Sequence, residues 1–300
     1  MADFTAYLAP EGFIPELEHE LGEDVTPACG HLVIAPGPPR PTAWAQNIWY
    51  DPVRLEIVSI GDAAKQLRNI QRNWALYSFE NHRRATLIQE KLPKVSAKPL
   101  RFGDPAPTAP LGSWALLDPN TVLAAARCSS PFPNGAPQFI EDKVPPSRAY
   151  LKLWEAFTVL GVSPQAGEVC LDLGACPGGW SYVLAKLGTQ VIAIDKAPLD
   201  PKVLAFANVE QRQQSAFALE PGDVGKLDWF FSDVICYPSR LLTLIEKFIA
   251  AGTVKNFICT LKFQGDTDFE TQAKFAAIPG SKLMHLNVNK HELTWVRLAA

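Results

Sequence analysis

The stretch LDLGACPGGW (171–180) ends a run of strand-type residues, EVCLDLG (168–174), in an acid and a glycine-rich turn, and the residues after it read as a helix. Gly174 and Gly178 permit backbone geometries that a side chain would block, and they let a ligand come close to the main chain. Amides at the start of the following helix can face an anionic or carboxylate group. The loop is not the dinucleotide pattern G-x-G-x-x-G. Cys176 stands where the second glycine belongs and Pro177 stiffens the turn, so a pyrophosphate would lose its close approach. Asp195 lies twenty-one residues after Gly174, at the end of the next strand, TQVIAID (189–195). An acid there commonly bonds both hydroxyls of a ribose. Together these residues imply an adenosine-containing cofactor without a pyrophosphate, a description that S-adenosylmethionine meets. The candidate cofactor contacts are Asp172, Gly174, Ala175, Cys176, Pro177, Gly178, Gly179, Trp180 and Asp195, with Trp180 read as packing under the loop. An ordinary tight strand-to-helix turn is the plainer alternative.

The elements that must position such a loop alternate regularly from about Ser147. A helix is expected at 148–160, a strand at 168–174, a helix at 178–187 and a strand at 189–195. DWFFSDV (228–234), a helix at 238–251, KNFICTLK (255–262), a helix near 267–277 and two terminal strands, KLMHLNV and ELTWVRL, follow. Alternation with crossovers of this length predicts an α/β fold with a mostly parallel, doubly wound, Rossmann-like sheet.

The N-terminal part has a different texture. FTAYL (4–8) reads as a strand and EGFIPELEHEL (11–21) as a helix, with Phe13, Leu17 and Leu21 spaced by four. A strand at 31–35, a proline break at 35–41, a strand RLEIVSI (54–60) and a helix at 62–71 complete a small α+β domain. SWALLDPNTVLAAA (113–126) reads as a hairpin turning at Asp118–Asn120. Between Lys65 and Arg101 nine basic residues face two acidic ones, Glu80 and Glu90, a local charge of +7. Trp74, Tyr77 and Phe79 are interleaved with them, a mixture suited to phosphate attraction and base stacking, although a solvated helix face over core aromatics explains it as well. Prolines at 131, 133, 137, 145 and 146 mark the passage between domains, which are placed at 1–130 and 131–300.

The bulk numbers set limits. Across 300 residues the net charge is −3, so the molecule is not a general polyanion binder and any nucleic-acid surface is local. The six cysteines are scattered, without metal-ligand spacing, so no metal site is expected and the thiols read as reduced. No run of apolar residues is long enough to span a membrane, and MADFTAYLAPEG lacks the layout of a secretion signal. A cytoplasmic location is expected, and oligomeric state is left open.

DLGACPGGW (172–180) resembles the S-adenosylmethionine loop of the FtsJ-like ribose 2′-O-methyltransferases. PPSRAYLKLWEAF (145–157) is similar to the segment preceding that loop in the RlmM-type branch, which acts on a cytidine of bacterial large-subunit ribosomal RNA. SDV (232–234), TLKFQGD (260–266) and HELTWV (291–296) resemble later motifs, so the likeness spans about 131–297. FTAYLAPEGFIPELEHELGE (4–23) is similar, more weakly, to the opening of that branch's ferredoxin-like domain, and the stretch up to 130 is short for its RNA-binding THUMP region.

The resemblance implies a catalytic tetrad of Lys152, Asp233, Lys262 and Glu292, with Asp233 also touching the cofactor. It implies methyl transfer to a ribose 2′-hydroxyl of RNA, with large-subunit ribosomal RNA as the partner. Lys262 is the expected general base. An ordinary lysine, with a pKa of about 10.4, is protonated at neutral pH and must release its proton before it can act. Asp233 orients it, and Lys152 and Glu292 position the ribose. Arg148 and Ser147 are candidates for an RNA phosphate, with helix capping an equal explanation for the serine. Where the family carries an acid for the adenine amino group, QRQQSAF (211–217) offers Ser215, a weaker partner. The competing reading is a non-catalytic adaptor that keeps the fold and binds RNA or ribosomes.

Overall fold

The computed structural model describes residues 4–299, and the chain divides into two compact units, one up to Ile140 and one from Glu141. The N-terminal unit contains β1 (Phe4–Leu8), α1 (Ile14–Leu21), β2 (Thr26–Cys29), β3 (Leu32–Pro36), β4 (Asn47–Tyr50), β5 (Val53–Glu56) and α2 (Ile60–Ile70). It continues through β6 (Trp74–Leu76), α3 (His82–Gln89), β7 (Gly112–Asp118), β8 (Thr121–Ala125) and β9 (Arg127–Cys128). Two sheets result, ordered β2-β3-β1-β4-β9 and β5-β8-β7-β6. The hairpin β7–β8 is apolar on both faces. Trp114, Leu116, Val122 and Ala124 pack with Ala63, Leu67, Ala85 and Ile88 of the helices, while Ala115, Leu123 and Ala125 pack with Ala6, Leu8, Ile34 and Trp49 of the other sheet. The period of two thus sends alternate residues into two separate cores.

Two N-terminal expectations change and one open alternative is decided. The strand expected at 54–60 stops at Glu56, because Ser59 Oγ accepts from the Asp62 amide while Asp62 Oδ2 accepts from the Val58 amide, a reciprocal cap that starts α2 early. Trp74, for which a stacking surface and a core position were both open, is core. It is 1% exposed and its Nε1 donates to the carbonyls of Leu67 and Gln71. Residues 131–140, assigned to the second domain, stay with the first unit: Asn134 Nδ2 donates to the Leu76 carbonyl and the Ile140 amide to that of Leu100.

The C-terminal unit contains α4 (Tyr150–Leu160), β10 (Val169–Leu173), α5 (Gly179–Lys186), β11 (Gln190–Asp195), α6 (Pro201–Leu204), β12 (Val209–Gln213), α7 (Pro221–Val224) and β13 (Leu227–Ser232). α8 (Pro238–Ala251), β14 (Val254–Lys262), α9 (Phe269–Ala277), β15 (Ser281–Met284) and β16 (Glu292–Arg297) follow. The seven strands are ordered β12-β11-β10-β13-β14-β16-β15. β10 to β14 are mutually parallel, and β16 runs antiparallel to both neighbours. This is a doubly wound, Rossmann-like sheet. β13 shows how both faces are covered: Trp229 and Phe231 meet Phe157 of α4 at 6.3 and 6.1 Å, whereas Phe230 between them meets Phe248 of α8 at 4.9 Å. That packing fixes α4 against the carboxyl halves of the central strands, where ligands bind in open α/β sheets.

Candidate active site

Four elements deliver four charged side chains to one place. Lys152 stands in the first turn of α4, Asp233 directly follows β13, Lys262 ends β14 and Glu292 begins β16. Lys262 and Glu292 are register partners across the antiparallel pair, so their side chains share a sheet face. Lys152 Nζ lies 2.9 Å from Asp233 Oδ1 and 2.7 Å from Glu292 Oε1. Lys262 Nζ lies 3.1 Å from the same Asp233 Oδ1 and donates to the Asp233 backbone carbonyl at 2.6 Å. The side chains of Lys152, Asp233, Lys262 and Glu292 are 12, 15, 19 and 9% exposed. Burial at that level demands pairing, and two ammonium groups balance two carboxylates.

The two lysines are held differently. Burial pulls the Lys152 pKa down, but the Asp233 and Glu292 carboxylates outweigh it and leave the group above its ordinary value. Lys152 is therefore a fixed cation. Lys262 has a single carboxylate contact and a neutral carbonyl.

The glycine loop separates into open and sealed parts. Gly174, Cys176, Pro177 and Asp195 retain solvent exposure, as do Ser215 beyond β12 and Asp233. Asp172, Ala175, Gly178, Gly179 and Trp180 are buried, and Trp180 packs under the loop as expected. Asp172 accepts from Ser181 Oγ at 2.6 Å beneath the loop, and burial pushes its carboxyl up to about 7. Trp180 Nε1 donates to the Ala149 carbonyl at 2.9 Å, holding α5 to the start of α4.

The glycines are also explained by the protein's own packing. Gly174 has φ +76°, and a Cβ there would come within 2.6 Å of Val234 Cα; Gly178 has φ +112°, and its Cβ would meet Val203 Cγ2 at 2.8 Å. The loop amides are largely engaged. Those of Gly174 and Ala175 go to the Ile194 carbonyl, and that of Cys176 to Asp195 Oδ2. Asp195 Oδ1 accepts from the Ala197 amide. Each carboxylate oxygen thus keeps a second lone pair, a pair of acceptors that fits the two hydroxyl donors of a vicinal diol such as a ribose. Ser147 Oγ, buried with no hydrogen-bond partner among the described residues, points at Gly179. Arg148 is paired with Glu141 at 2.7 Å in solvent.

Glu155 carries a role that motif reading passed over. It sits one turn after Lys152 on α4, is 2% exposed, and accepts the amides of Asn287 and Val288 at 2.6 and 3.2 Å. It therefore ties the helix bearing Lys152 to the connection that leads into Glu292. Burial raises its carboxyl to about 7, partly offset by those two amides. The signal available earlier was a lone acid among Leu153, Trp154, Ala156 and Phe157 on an otherwise apolar helix.

A doubly wound sheet whose last strands reverse, with a glycine loop after β10 and a lysine–carboxylate cluster at the adjacent strand ends, defines a Rossmann-like unit with a candidate site at the carboxyl ends of its strands. Residues 145–254, within the C-terminal unit, match the family model of the FtsJ-like methyltransferases. The chain is 35% identical over 192 residues to the ribosomal RNA large subunit methyltransferase M of Azoarcus sp. (strain BH72), covering 58% of this chain and 49% of that one. It is also 35% identical over 146 residues to the protein of the same name from Marinomonas sp. (strain MWYL1), covering 47% and 41%. The chain thus spans half or less of the length of these relatives. Among solved structures, an rRNA methylase from Streptococcus thermophilus is 14% identical with a TM-score of 0.34, covering 45% of this chain and 89% of that one.

Proposed function

We propose that this chain transfers a methyl group from S-adenosylmethionine to a ribose 2′-hydroxyl of RNA, with large-subunit ribosomal RNA as the substrate. The observation that carries this reading is the convergence of Lys152, Asp233, Lys262 and Glu292 within ion-pair distance beside the glycine loop. S-adenosylmethionine, when bound, supplies an electrophilic methyl carbon. Asp195 would take the ribose hydroxyls of the cofactor, the exposed residues Gly174, Cys176 and Pro177 would meet its amino-acid end, and Ser215 would face its base.

The chain's own residues then handle a proton and a geometry. Lys262 first releases the proton with which it donates to Asp233, and its free amine then accepts the proton of the substrate hydroxyl as the new bond forms. Asp233 holds that amine in place through both its carboxylate and its carbonyl. Lys152, kept cationic by Asp233 and Glu292, fixes those two carboxylates and offers a positive charge to the substrate oxygen. The lower polarity of the cluster strengthens each of these contacts.

RNA contact in the N-terminal unit belongs to the same proposal. Asn81, His82, Arg83, Arg84, Ile60 and Leu87 line an open surface cavity of about 590 Å³ at the start of α3, and Phe79 nearby in sequence is 42% exposed. Arginines with an exposed aromatic suit phosphate and base together.

The test is transfer of tritium from labelled S-adenosylmethionine to ribosomal RNA from a strain lacking the gene, with nucleosides identified by mass spectrometry. A 2′-O-methylnucleoside made by the native chain and reduced at least about a hundredfold by Lys262→Ala is the expected result. Label on a nucleobase would overturn the mechanism. Cofactor binding without transfer to any RNA would favour the adaptor reading.

A further inference from the structure

Among the large apolar side chains exposed in the C-terminal unit, two stand apart. Ile235 is 76% exposed and Tyr237 63%, whereas Val144, Leu204, Val159 and Val162 lie between 37 and 48%. Both belong to the short connection between β13 and α8, within four residues of Asp233. Isolated exposed apolar residues need no explanation, but two of the most exposed ones beside a reaction centre do.

The connection is pinned at every other point. The Asp233 amide donates to the Leu173 carbonyl and the Asp233 carbonyl accepts from Lys262 Nζ. Val234 lies against Gly174, Cys236 is 7% exposed and Pro238 is buried at the start of α8. Alternation along this fixed backbone leaves Ile235 and Tyr237 directed away from the packed interior. Their exposure is therefore built into the segment that also holds Lys262. Arg240 follows in the first turn of α8, where its amide donates to the Tyr237 carbonyl, and its guanidinium lies 3.8 Å from the centre of the Phe217 ring. A cation held in this way, three residues from an exposed aromatic ring on one helix turn, matches a phosphate next to a base.

We propose that Ile235 and Tyr237 form a stacking platform for an unpaired nucleobase of the RNA substrate, with Arg240 taking the neighbouring backbone phosphate. This rests on the RNA methyltransferase reading and deepens it, placing a substrate subsite at the rim of the reaction centre. Two side chains and one cation are the size of a nucleotide and far below a protein–protein interface, which engages about 20–30 residues a side. Sequence-specific RNA recognition favours unstacked bases laid on aromatic side chains, which suits a platform this small.

The experiment uses the full chain as Tyr237→Ala, Ile235→Ser and Tyr237→Phe variants. Three readouts are needed: equilibrium affinity for S-adenosylmethionine, KM and kcat for methyl transfer to ribosomal RNA, and quenching of 2-aminopurine placed in short single-stranded RNA oligonucleotides. The expected result is unchanged cofactor affinity, a KM for RNA raised about tenfold by Tyr237→Ala and less by Ile235→Ser, and loss of the fluorescence quenching. Tyr237→Phe should restore both, because the ring and not the hydroxyl carries the contact. Native KM and native quenching in Tyr237→Ala would overturn the platform. If the native chain methylates no RNA, the parent reading fails separately, and the oligonucleotide readout still decides: equal quenching by native and Tyr237→Ala proteins sinks the platform. Native RNA behaviour combined with loss of a protein contact on the ribosomal particle would assign the patch to a protein partner and overturn it as well.

Discussion

The charged cluster and the glycine loop lie side by side at one edge of the sheet, yet they are built on opposite principles. In the cluster the four side chains are linked in a row by three ion pairs, from Glu292 through Lys152 and Asp233 to Lys262, at 2.7, 2.9 and 3.1 Å. In the loop, five of the nine candidate residues are buried, and the backbone is held by its own hydrogen bonds and by Asp195. Side-chain chemistry can be traced residue by residue, whereas a backbone-built site recruits residues whose work is to support its shape.

This contrast orders the tests. Lys152→Ala should do the most damage, because Glu292 loses the cation 2.7 Å away and Asp233 keeps only Lys262. We expect methyl transfer reduced at least about a hundredfold. Denaturant unfolding should show a stability loss near the lower end of about 3–5 kcal/mol, since these side chains are not wholly sealed from solvent. Gly174→Ala tests the loop. The left-handed backbone costs about 1–2 kcal/mol and overlap with Val234 about 1–3 kcal/mol more, so cofactor affinity should fall by more than about tenfold in a calorimetric titration. Equal affinity in the alanine variant would break the contrast by making the loop's backbone shape dispensable.

The third test concerns the supporting acids. Glu155 and Asp172 are both raised to about 7 from ordinary values of 4.5 and 3.8. The folded protein therefore holds these protons more tightly than the unfolded chain. Their contribution to stability is complete below the ordinary carboxylate range and is lost as pH rises toward 7, the reverse of an acid held by a salt bridge. Glu155→Gln and Asp172→Asn should each flatten the fall in melting temperature between about pH 5 and pH 7. A slope identical to that of the native protein would show that neither acid is protonated in the fold. The smallest effect is expected at Ser215. Replacing it with aspartate supplies a charged acceptor at the open edge and should tighten cofactor binding by about threefold to tenfold. No change would place the cofactor's base beyond reach of that position.

Legibility followed the strength of local signals. β10, α5, β11, β13, α8 and β14 were readable because each is a largely apolar run of characteristic length ended by glycine, proline or a polar cluster. β12 was not, since VEQRQ is a polar edge strand with no buried face to impose a period. β4 and β6 are only four and three residues long, too short for a pattern to emerge. The hairpin β7–β8 was found, although its two-sided burial was not, because alternate apolar residues can serve one core or two. Trp74 could be read as a stacking surface or as core, and the packing of α2 and α3 decided for core.

Residue identity and order determined on their own that an α/β sheet would form and that a glycine turn would follow its first strand, whereas Lys152, Asp233, Lys262 and Glu292 were singled out by the resemblance. Periodicity and turn chemistry are local, so these features survive without knowledge of what packs where. Tertiary structure alone decided that Lys152 is locked by two carboxylates while Lys262 has one, that Asp172 and Trp180 support the loop, and that Glu155 ties α4 to the entrance of β16. Those distinctions depend on burial and on contacts between residues up to 133 positions apart, and desolvation and pairing arise only when distant segments share a low-dielectric interior.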